Sequence, residues 1–287
     1  WQAARFFGSV CRLFCVNCFG EIMNDIKEML NKIKIVLLDL DGTIYLGDKL
    51  IGDVVNTLSL LRSAGKKLVY LTNNSSRSDE EYRKKLNARG ILDENDDVYT
   101  SARATIEFLN AEHKGASVFF VGTDAVKKDF SDAGVKLTDE NHAEIAVLSY
   151  DVTLDFKKIR AFDIALKRGA LYVATHPDAV CPAEDYSMPD VGSFIEMFKK
   201  SSGREPDVII GKPYNGMGRA VVSRYKVNPE EVVMVGDRLY TDMAFAVNSG
   251  FKSMLVLSGE TTKEMYDQSG MNLSVVFDSV NDWTEYL

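Results

Sequence analysis

Short apolar segments that alternate with amphipathic segments are the feature of this sequence that most restricts its fold. From Lys34 onward, each apolar run is followed by a stretch with helical spacing or by turn residues such as Gly65. The predicted strands are residues 35–38, 67–71, 98–100, 117–121, 145–149, 171–174, 207–210, 232–235 and 253–257. Strands that alternate with helices build a mostly parallel sheet covered by helices on both faces. We therefore expect an α/β fold.

Composition argues against several classes of protein. The chain has 287 residues, of which 46% are apolar and 26% are charged, as is usual for a globular protein. No run of about 18 apolar residues is present, which predicts no membrane span. The formal net charge of −8 disfavours a general nucleic-acid binder, because duplex affinity depends on Lys and Arg. After residue 18 the sequence contains a single cysteine, Cys181, so it has no disulfide scaffold. This predicts a reducing compartment, which we take to be the cytoplasm.

Residues 1–22 differ from the rest of the chain. The segment is aromatic and contains Cys11, Cys15 and Cys18, and the first Met of the sequence is Met23. The cysteine spacing matches the three thiolates that hold the cluster of radical S-adenosylmethionine enzymes. Those enzymes need a large barrel after the motif, whereas an unrelated strand follows here. We therefore interpret residues 1–22 as an atypical N-terminal extension outside the fold.

Four of the predicted strands end in a short polar sequence. These sequences are Asp39-Leu40-Asp41-Gly42-Thr43, Thr72-Asn73-Asn74-Ser75, Gly211-Lys212-Pro213 and Gly236-Asp237-Arg238-Leu239-Tyr240-Thr241-Asp242. Each one alone could be an ordinary turn. Ligands bind outside the carboxyl ends of the strands in open α/β sheets, so neighbouring strands would bring the four sequences to one crevice. Their joint occurrence favours a functional site.

The residue types in these sequences suit phosphoryl transfer from a monoester. Asp39, at a strand tip, can act as the nucleophile, and Asp41 can protonate the leaving oxygen. The hydroxyl group of Thr72 and the backbone N–H of Asn73 can donate hydrogen bonds to phosphoryl oxygens, and Lys212 offers a positive charge. We expect Asp39 and Asp41 to be the catalytic pair and the other three residues to bind phosphate.

The same sequences offer hard oxygen ligands for Mg²⁺. We expect Asp39, the carbonyl oxygen of Asp41 and Asp237 to hold the ion. Asp242 is expected to hold Lys212 or a metal-bound water rather than the metal itself. The predicted enzyme therefore depends on Mg²⁺.

The four sequences, in this order, resemble the four motifs of the haloacid dehalogenase superfamily. The resemblance covers residues 34–287 and implies a three-layer, Rossmann-like core in which Asp39 is the nucleophile. Dehalogenases lack the second Asp and transport ATPases replace it with Thr, so Asp41 favours a phosphatase or a phosphomutase. The long segment of residues 75–211 resembles the inserted α/β cap, of type two, of NagD-like and p-nitrophenylphosphatase-like phosphatases.

This resemblance implies a domain organisation and a region of substrate contact. The core would comprise residues 23–114 and 196–287, and the cap residues 115–195. His176, in the loop-rich part of the cap, is a candidate for substrate contact, although His-Pro-Asp is also a good turn. Asp178 and Asp190 are weaker candidates.

We therefore expect a Mg²⁺-dependent phosphatase that hydrolyses a small phosphate monoester through an aspartyl-phosphate. A sugar phosphate, a nucleotide or a similar metabolite is the expected substrate, and no nucleic-acid or membrane partner is expected. A phosphomutase and a non-catalytic binding protein on the same fold are the alternatives. The natural substrate and the oligomeric state stay open, a homodimer being one option.

Overall fold

Two parallel sheets organise the part of the chain that the computed structural model describes, residues 15–181 and 186–287. The first, which we call the core sheet, has six strands, all of whose pairings are parallel. Across the sheet their order is Val275–Phe277, Lys252–Val256, Val232–Gly236, Ile35–Leu38, Lys67–Thr72 and Asp97–Thr100. The predicted parallel α/β fold is confirmed.

Helices cover both faces of the core sheet. The α-helices are Cys15–Lys32, Val54–Ser63, Asp79–Ala88, Ser101–Glu112, Gly216–Tyr225, Ala244–Ser249 and Lys263–Ser269. Shorter helical turns are Pro229–Glu231, Leu239–Met243 and Val280–Tyr286, and a small hairpin pairs Tyr45–Leu46 with Lys49–Leu50. None of the described helices is long and apolar enough to cross a membrane.

The central strand Ile35–Leu38 shows why its sequence is continuously apolar. Ile35 and Leu37 belong to the hydrophobic cluster on one face of the core sheet, and Val36 and Leu38 to the cluster on the other. All four side chains are buried, because successive side chains of a strand point to opposite faces and helices cover both. Burying each one contributes about 1.5–3 kcal/mol to stability.

The second sheet, which we call the cap sheet, has five strands. Their order is Val208–Ile209, Leu171–Ala174, Ile145–Leu148, Ser117–Val121 and Lys136–Leu137. Three helices accompany it, Asp124–Asp132, Phe156–Lys167 and Val191–Ser202, and a short hairpin pairs Val180–Cys181 with Met188–Pro189.

The cap sheet continues past the predicted boundary at residue 195. That boundary falls inside the helix Val191–Ser202, and Val208–Ile209 pairs in parallel with the end of Leu171–Ala174. Residues 196–209, assigned to the core from the sequence, therefore belong to the cap sheet and its last helix. The local apolar pattern of a two-residue edge strand does not indicate which sheet it joins. We place the boundary near Ile210.

The first described helix begins inside the predicted N-terminal extension. It spans Cys15–Lys32, so it includes Cys18. Its last turn buries Leu30 in the cluster on one face of the core sheet, and Met23 packs against the same cluster. Residues 1–14, with Cys11 and therefore the full three-cysteine spacing, lie outside the described residues.

Candidate active site

Three of the four polar sequences lie at neighbouring strand ends. The strands Val232–Gly236, Ile35–Leu38 and Lys67–Thr72 are adjacent in the core sheet, so Asp237, Asp39 and Thr72 lie at the same edge. The fourth sequence differs from the expectation, because Lys212 follows a strand of the cap sheet. Lys212 therefore reaches the site from the junction of core and cap.

A small cavity forms where these residues meet. Its core side includes Asp39, Asp41, Thr72, Asn73, Lys212 and Asp242. Its cap side includes Asp178, Val180, Cys181 and Asp190. Phosphate-binding, acidic and cap residues predicted separately from the sequence thus surround one space.

The ammonium group of Lys212 joins two carboxylates. Its Nζ donates hydrogen bonds to Asp39 Oδ1 at 2.6 Å and to Asp242 Oδ1 at 2.6 Å. Burial alone would lower the pKa of Lys212, but Asp242 and Asp39 outweigh it and raise that pKa, so the lysine stays charged. The second oxygen of Asp242 accepts the backbone N–H of Arg238 at 3.2 Å. Asp242 therefore fixes Lys212 beside Asp39.

Asp237 lies in a narrow space that two glycines leave open. A Cβ atom on Gly42 would lie 2.3 Å from Asp237 Oδ2, and one on Gly259 would lie 2.0 Å from it. Asp237 Oδ2 accepts the backbone N–H of Glu260 at 2.7 Å, whereas the buried Oδ1 has no hydrogen-bond partner among the described residues. Burial raises the pKa of Asp237 to about 6. A buried carboxylate oxygen without a hydrogen-bond partner destabilises the folded protein unless a bound ligand contacts it.

The donor set around Asp237 fits a divalent cation. Carboxylate oxygens of Asp39, Asp237 and Asp242 lie within 4.8 Å of one another. Carboxylates are the ligands that hard cations such as Mg²⁺ prefer, and Asp237 keeps one buried oxygen, Oδ1, that no described residue bonds. Both carboxylate oxygens of Asp242 already accept hydrogen bonds, from Lys212 and from the backbone N–H of Arg238, so Asp39 and Asp237 are the better placed side chains for a metal.

Asp41 lies at the solvent-exposed mouth of the same cavity. Desolvation by the surrounding protein raises the pKa of its carboxyl group, and Lys85 is the cation that most opposes this effect. Gly42, the next residue, has a φ of +85°, a conformation that residues with a side chain rarely adopt. The turn that the chain makes directly after Asp41 thus depends on this glycine.

The side chain of Asn73 ties the core motif to the cap. Its Nδ2 donates hydrogen bonds to Asp178 Oδ1 and Oδ2 at 3.2 and 3.1 Å, and to the carbonyl oxygen of Lys212 at 2.9 Å. Its Oδ1 accepts the backbone N–H of Lys212 at 2.9 Å. Only the backbone N–H of Asn73 was predicted to have a role, because no local pattern indicates these long-range contacts of the side chain.

His176 lies behind the cavity rather than in its wall. It is fully buried, and neither ring nitrogen has a hydrogen-bond partner among the described residues. Its Nε2 lies 3.5 Å from Asp190 Oδ1, and burial lowers its pKa to about 4, so the ring is neutral near pH 7. Asp178 and Asp190, the weaker candidates from the sequence, line the cavity instead.

Arg238, which has no role in the predicted site, also lines the cavity. Its Nε contacts Glu260 Oε2 at 3.0 Å. The sequence signal for Arg238 is its position directly after Asp237 within a strand-end motif, and no role was predicted from that signal.

The chain is similar in sequence to known hydrolases. The sequence model of the haloacid dehalogenase-like hydrolases matches residues 36–136, and a second model, described as HAD-hydrolase-like, matches residues 209–283. An acid sugar phosphatase from Staphylococcus saprophyticus is 30% identical over 249 residues, which cover 87% of this chain and 96% of that protein. The 5'-nucleotidase YutF from Bacillus subtilis is 29% identical over 251 residues, 88% of this chain and 97% of that protein.

Comparison of the fold with solved structures indicates the same group of hydrolases. The crystal structure of a 4-nitrophenylphosphatase from Thermotoga maritima superimposes with a TM-score of 0.85 at 36% sequence identity, covering 90% of this chain and 98% of that one. The parallel-sheet core, predicted from the alternation of strands and helices, and the inserted cap, predicted from the motif spacing, are confirmed by this match. The chain belongs to the haloacid dehalogenase-like hydrolases and is a phosphatase of their NagD-like and nitrophenylphosphatase-like group.

Proposed function

We propose that the protein is a Mg²⁺-dependent phosphatase that hydrolyses small phosphate monoesters through an aspartyl-phosphate on Asp39. One observation carries the proposal: Lys212 holds Asp39 at 2.6 Å in a cavity that also contains Asp41. A carboxylate held beside a fixed cation is positioned to attack phosphorus, and the same cation offsets the charge of the phosphoryl group.

In the first step, an oxygen of Asp39 forms a bond to phosphorus, and the bond from phosphorus to the leaving oxygen breaks. Asp41 donates its proton to that oxygen, so the alcohol leaves neutral. Thr72 and the backbone N–H of Asn73 are the proposed donors to the phosphoryl oxygens. The products of this step are the alcohol and a phosphorylated Asp39.

In the second step, Asp41 accepts a proton from a water molecule as the water attacks phosphorus. The bond from phosphorus to the carboxylate oxygen breaks, which releases inorganic phosphate and restores Asp39. Asp41 is again protonated and ready for the next cycle. One residue thus acts as acid and then as base.

Mg²⁺ would be held by Asp39, Asp237 and the carbonyl oxygen of Asp41, where it would offset negative charge on the phosphoryl group. Chelation with EDTA is expected to abolish phosphate release, and added Mg²⁺ to restore it. Asp237→Asn, which removes one ligand charge, should raise the Mg²⁺ concentration needed for half-maximal activity. Activity that survives exhaustive chelation would contradict the proposed metal dependence.

The relatives differ in the substrates their names give, which include sugar phosphates, nucleotides and, for two proteins of Arabidopsis thaliana, phosphoglycolate. We therefore propose a sugar phosphate, a nucleotide or a similar metabolite as substrate, acted on in the cytoplasm. A phosphate-release screen over these classes with Mg²⁺ tests the proposal. Free phosphate supports a phosphatase, whereas an isomerised sugar phosphate would indicate a phosphomutase.

Gly42→Ala is expected to lower kcat/KM by about a hundredfold or more, because misplacing catalytic groups by about 1 Å costs that much. The new Cβ would meet Asp237 Oδ2 at 2.3 Å and force that carboxylate to move. Gly47→Ala is the matched control: Gly47 also has a positive φ, +60°, but nothing lies within 4 Å of its added Cβ. Both substitutions place a side chain at a positive φ and strain the backbone, but only Gly42→Ala would displace Asp237. Equal losses of activity in the two variants would therefore contradict the role given to Gly42.

A further inference from the structure

The cap side of the cavity is acidic. Its described residues are Asp178, Val180, Cys181 and Asp190, which include two carboxyl groups and no cation. In the proposed reaction Asp39 attacks the phosphoryl group and Lys212 offsets its charge, both from the core side of the cavity. The leaving group therefore lies toward the cap, against these two carboxyl groups.

Asp178 is held rigidly at this place. Asn73 Nδ2 contacts both of its carboxylate oxygens, at 3.2 and 3.1 Å, and the same amide group is bonded to the backbone of Lys212. The charge of Asp178 is thus fixed relative to the phosphate-binding lysine. A second anion on the substrate would approach this carboxylate and could not push it aside without breaking the contacts of Asn73.

Asp190 has a different character although it lines the same wall. It is 3% exposed, and its Oδ1 accepts the backbone N–H of Val191 at 2.7 Å. Burial raises the pKa of Asp190 to about 7, with Asp178 adding to the effect. Near neutral pH a large fraction of Asp190 carries a proton and can donate a hydrogen bond, whereas Asp178 can accept one. Such a pair matches hydroxyl groups.

The cations near the cavity have other partners. Lys212 is bonded to the carboxylates of Asp39 and Asp242, and Arg238 pairs with Glu260. Lys85 and Arg89 lie over a tyrosine ring of the core, 4.7 and 4.4 Å from its centroid, and do not line the cavity. None of these four is placed on the cap side, where it would offset Asp178.

We propose that the substrate's leaving group is uncharged and hydroxyl-bearing, and that Asp178 is a specificity-determining residue that excludes a second anionic group. This inference rests on the proposed phosphatase function. A cavity of this kind selects sugar and polyol phosphates and disfavours phosphorylated carboxylic acids and bisphosphates.

Glycerol 3-phosphate and 3-phosphoglycerate test the proposal, because they share a carbon skeleton and differ by a hydroxymethyl group in place of a carboxylate. With Mg²⁺, the wild-type protein is expected to favour glycerol 3-phosphate in kcat/KM by about tenfold or more, as a fixed unit charge a few ångströms away implies. Asp178→Asn keeps the shape and an acceptor for Asn73. It should bring the two kcat/KM values closer by about tenfold, mainly because the carboxylate-bearing substrate binds more tightly and its KM falls.

Glu196→Gln is the matched control, since it removes the same charge from an exposed position of the helix that follows Asp190. It should leave the ratio unchanged. Asp178→Ser provides a second charge-free variant if the first folds poorly. A wild-type preference for 3-phosphoglycerate, or a ratio that neither Asp178 variant changes, would overturn the inference. Failure of the wild type to release phosphate from either compound or from p-nitrophenyl phosphate would instead overturn the proposed phosphatase function.

Discussion

Asp39→Asn is expected to abolish phosphate release, with kcat reduced by roughly four orders of magnitude or more, as for loss of a catalytic nucleophile. The amide has nearly the shape of the carboxylate, and its oxygen can still accept the hydrogen bond that Lys212 now donates to Asp39 Oδ1 at 2.6 Å. It lacks the negative charge that makes the carboxylate a nucleophile. The variant should therefore fold and bind phosphate without forming the phosphorylated enzyme.

Phosphate release from p-nitrophenyl phosphate with Mg²⁺ measures this effect. The sample must be shown by mass spectrometry to be free of Asn that has deamidated back to Asp. Asp53→Asn is the control, because Asp53 is exposed and its side chain makes no cap hydrogen bond to the helix Val54–Ser63. Turnover by a pure Asp39→Asn sample within about a hundredfold of the wild type would rule out Asp39 as the nucleophile.

Lys212→Met is expected to reduce both activity and stability. Lys212 is 2% exposed and is bonded to Asp39 and Asp242, so its loss takes the bonded cation from one partly buried and one buried carboxylate. Removing one partner of a buried ion pair costs about 3–5 kcal/mol in the free energy of unfolding. Loss of the charge that faces the phosphoryl group should lower kcat by about a hundredfold to a thousandfold.

A double variant separates these two effects. In Lys212→Met/Asp242→Asn, one of the uncompensated carboxylates is neutral, so part of the lost free energy of unfolding should return. Activity should not return, because the cation beside Asp39 is still absent. Denaturant unfolding and phosphate-release kinetics on the single and double variants measure the two quantities. Recovery of activity together with stability would show that Lys212 matters for folding alone.

The core of the fold was predictable because its signals are local. Ile35–Leu38 is continuously apolar since it is buried on both faces, and the Asp that ends it marks the carboxyl edge of the sheet. The same kind of signal failed for Val208–Ile209, which joins the cap sheet. A short apolar run shows that a strand is buried, but the sheet it joins depends on pairing partners distant in sequence.

Only those residues of the site that belong to the strand-end motifs could be predicted from the sequence. Gly259, which makes room for Asp237, lies outside all four motifs, so only its approach to that carboxylate in space reveals its role. His176 was a candidate for substrate contact because loops often carry binding groups; its side chain is fully buried and does not line the cavity. Burial of a loop side chain depends on the packing of the whole cap.

A thiophosphate monoester made chiral at phosphorus with oxygen isotopes tests the aspartyl-phosphate intermediate most directly. Hydrolysis in isotope-labelled water gives a chiral inorganic thiophosphate whose configuration can be assigned. Attack by Asp39 and then by water makes two in-line displacements, each of which inverts phosphorus, so net retention of configuration is predicted. Net inversion would mean that water attacks the substrate directly and would contradict the role of Asp39 as the nucleophile.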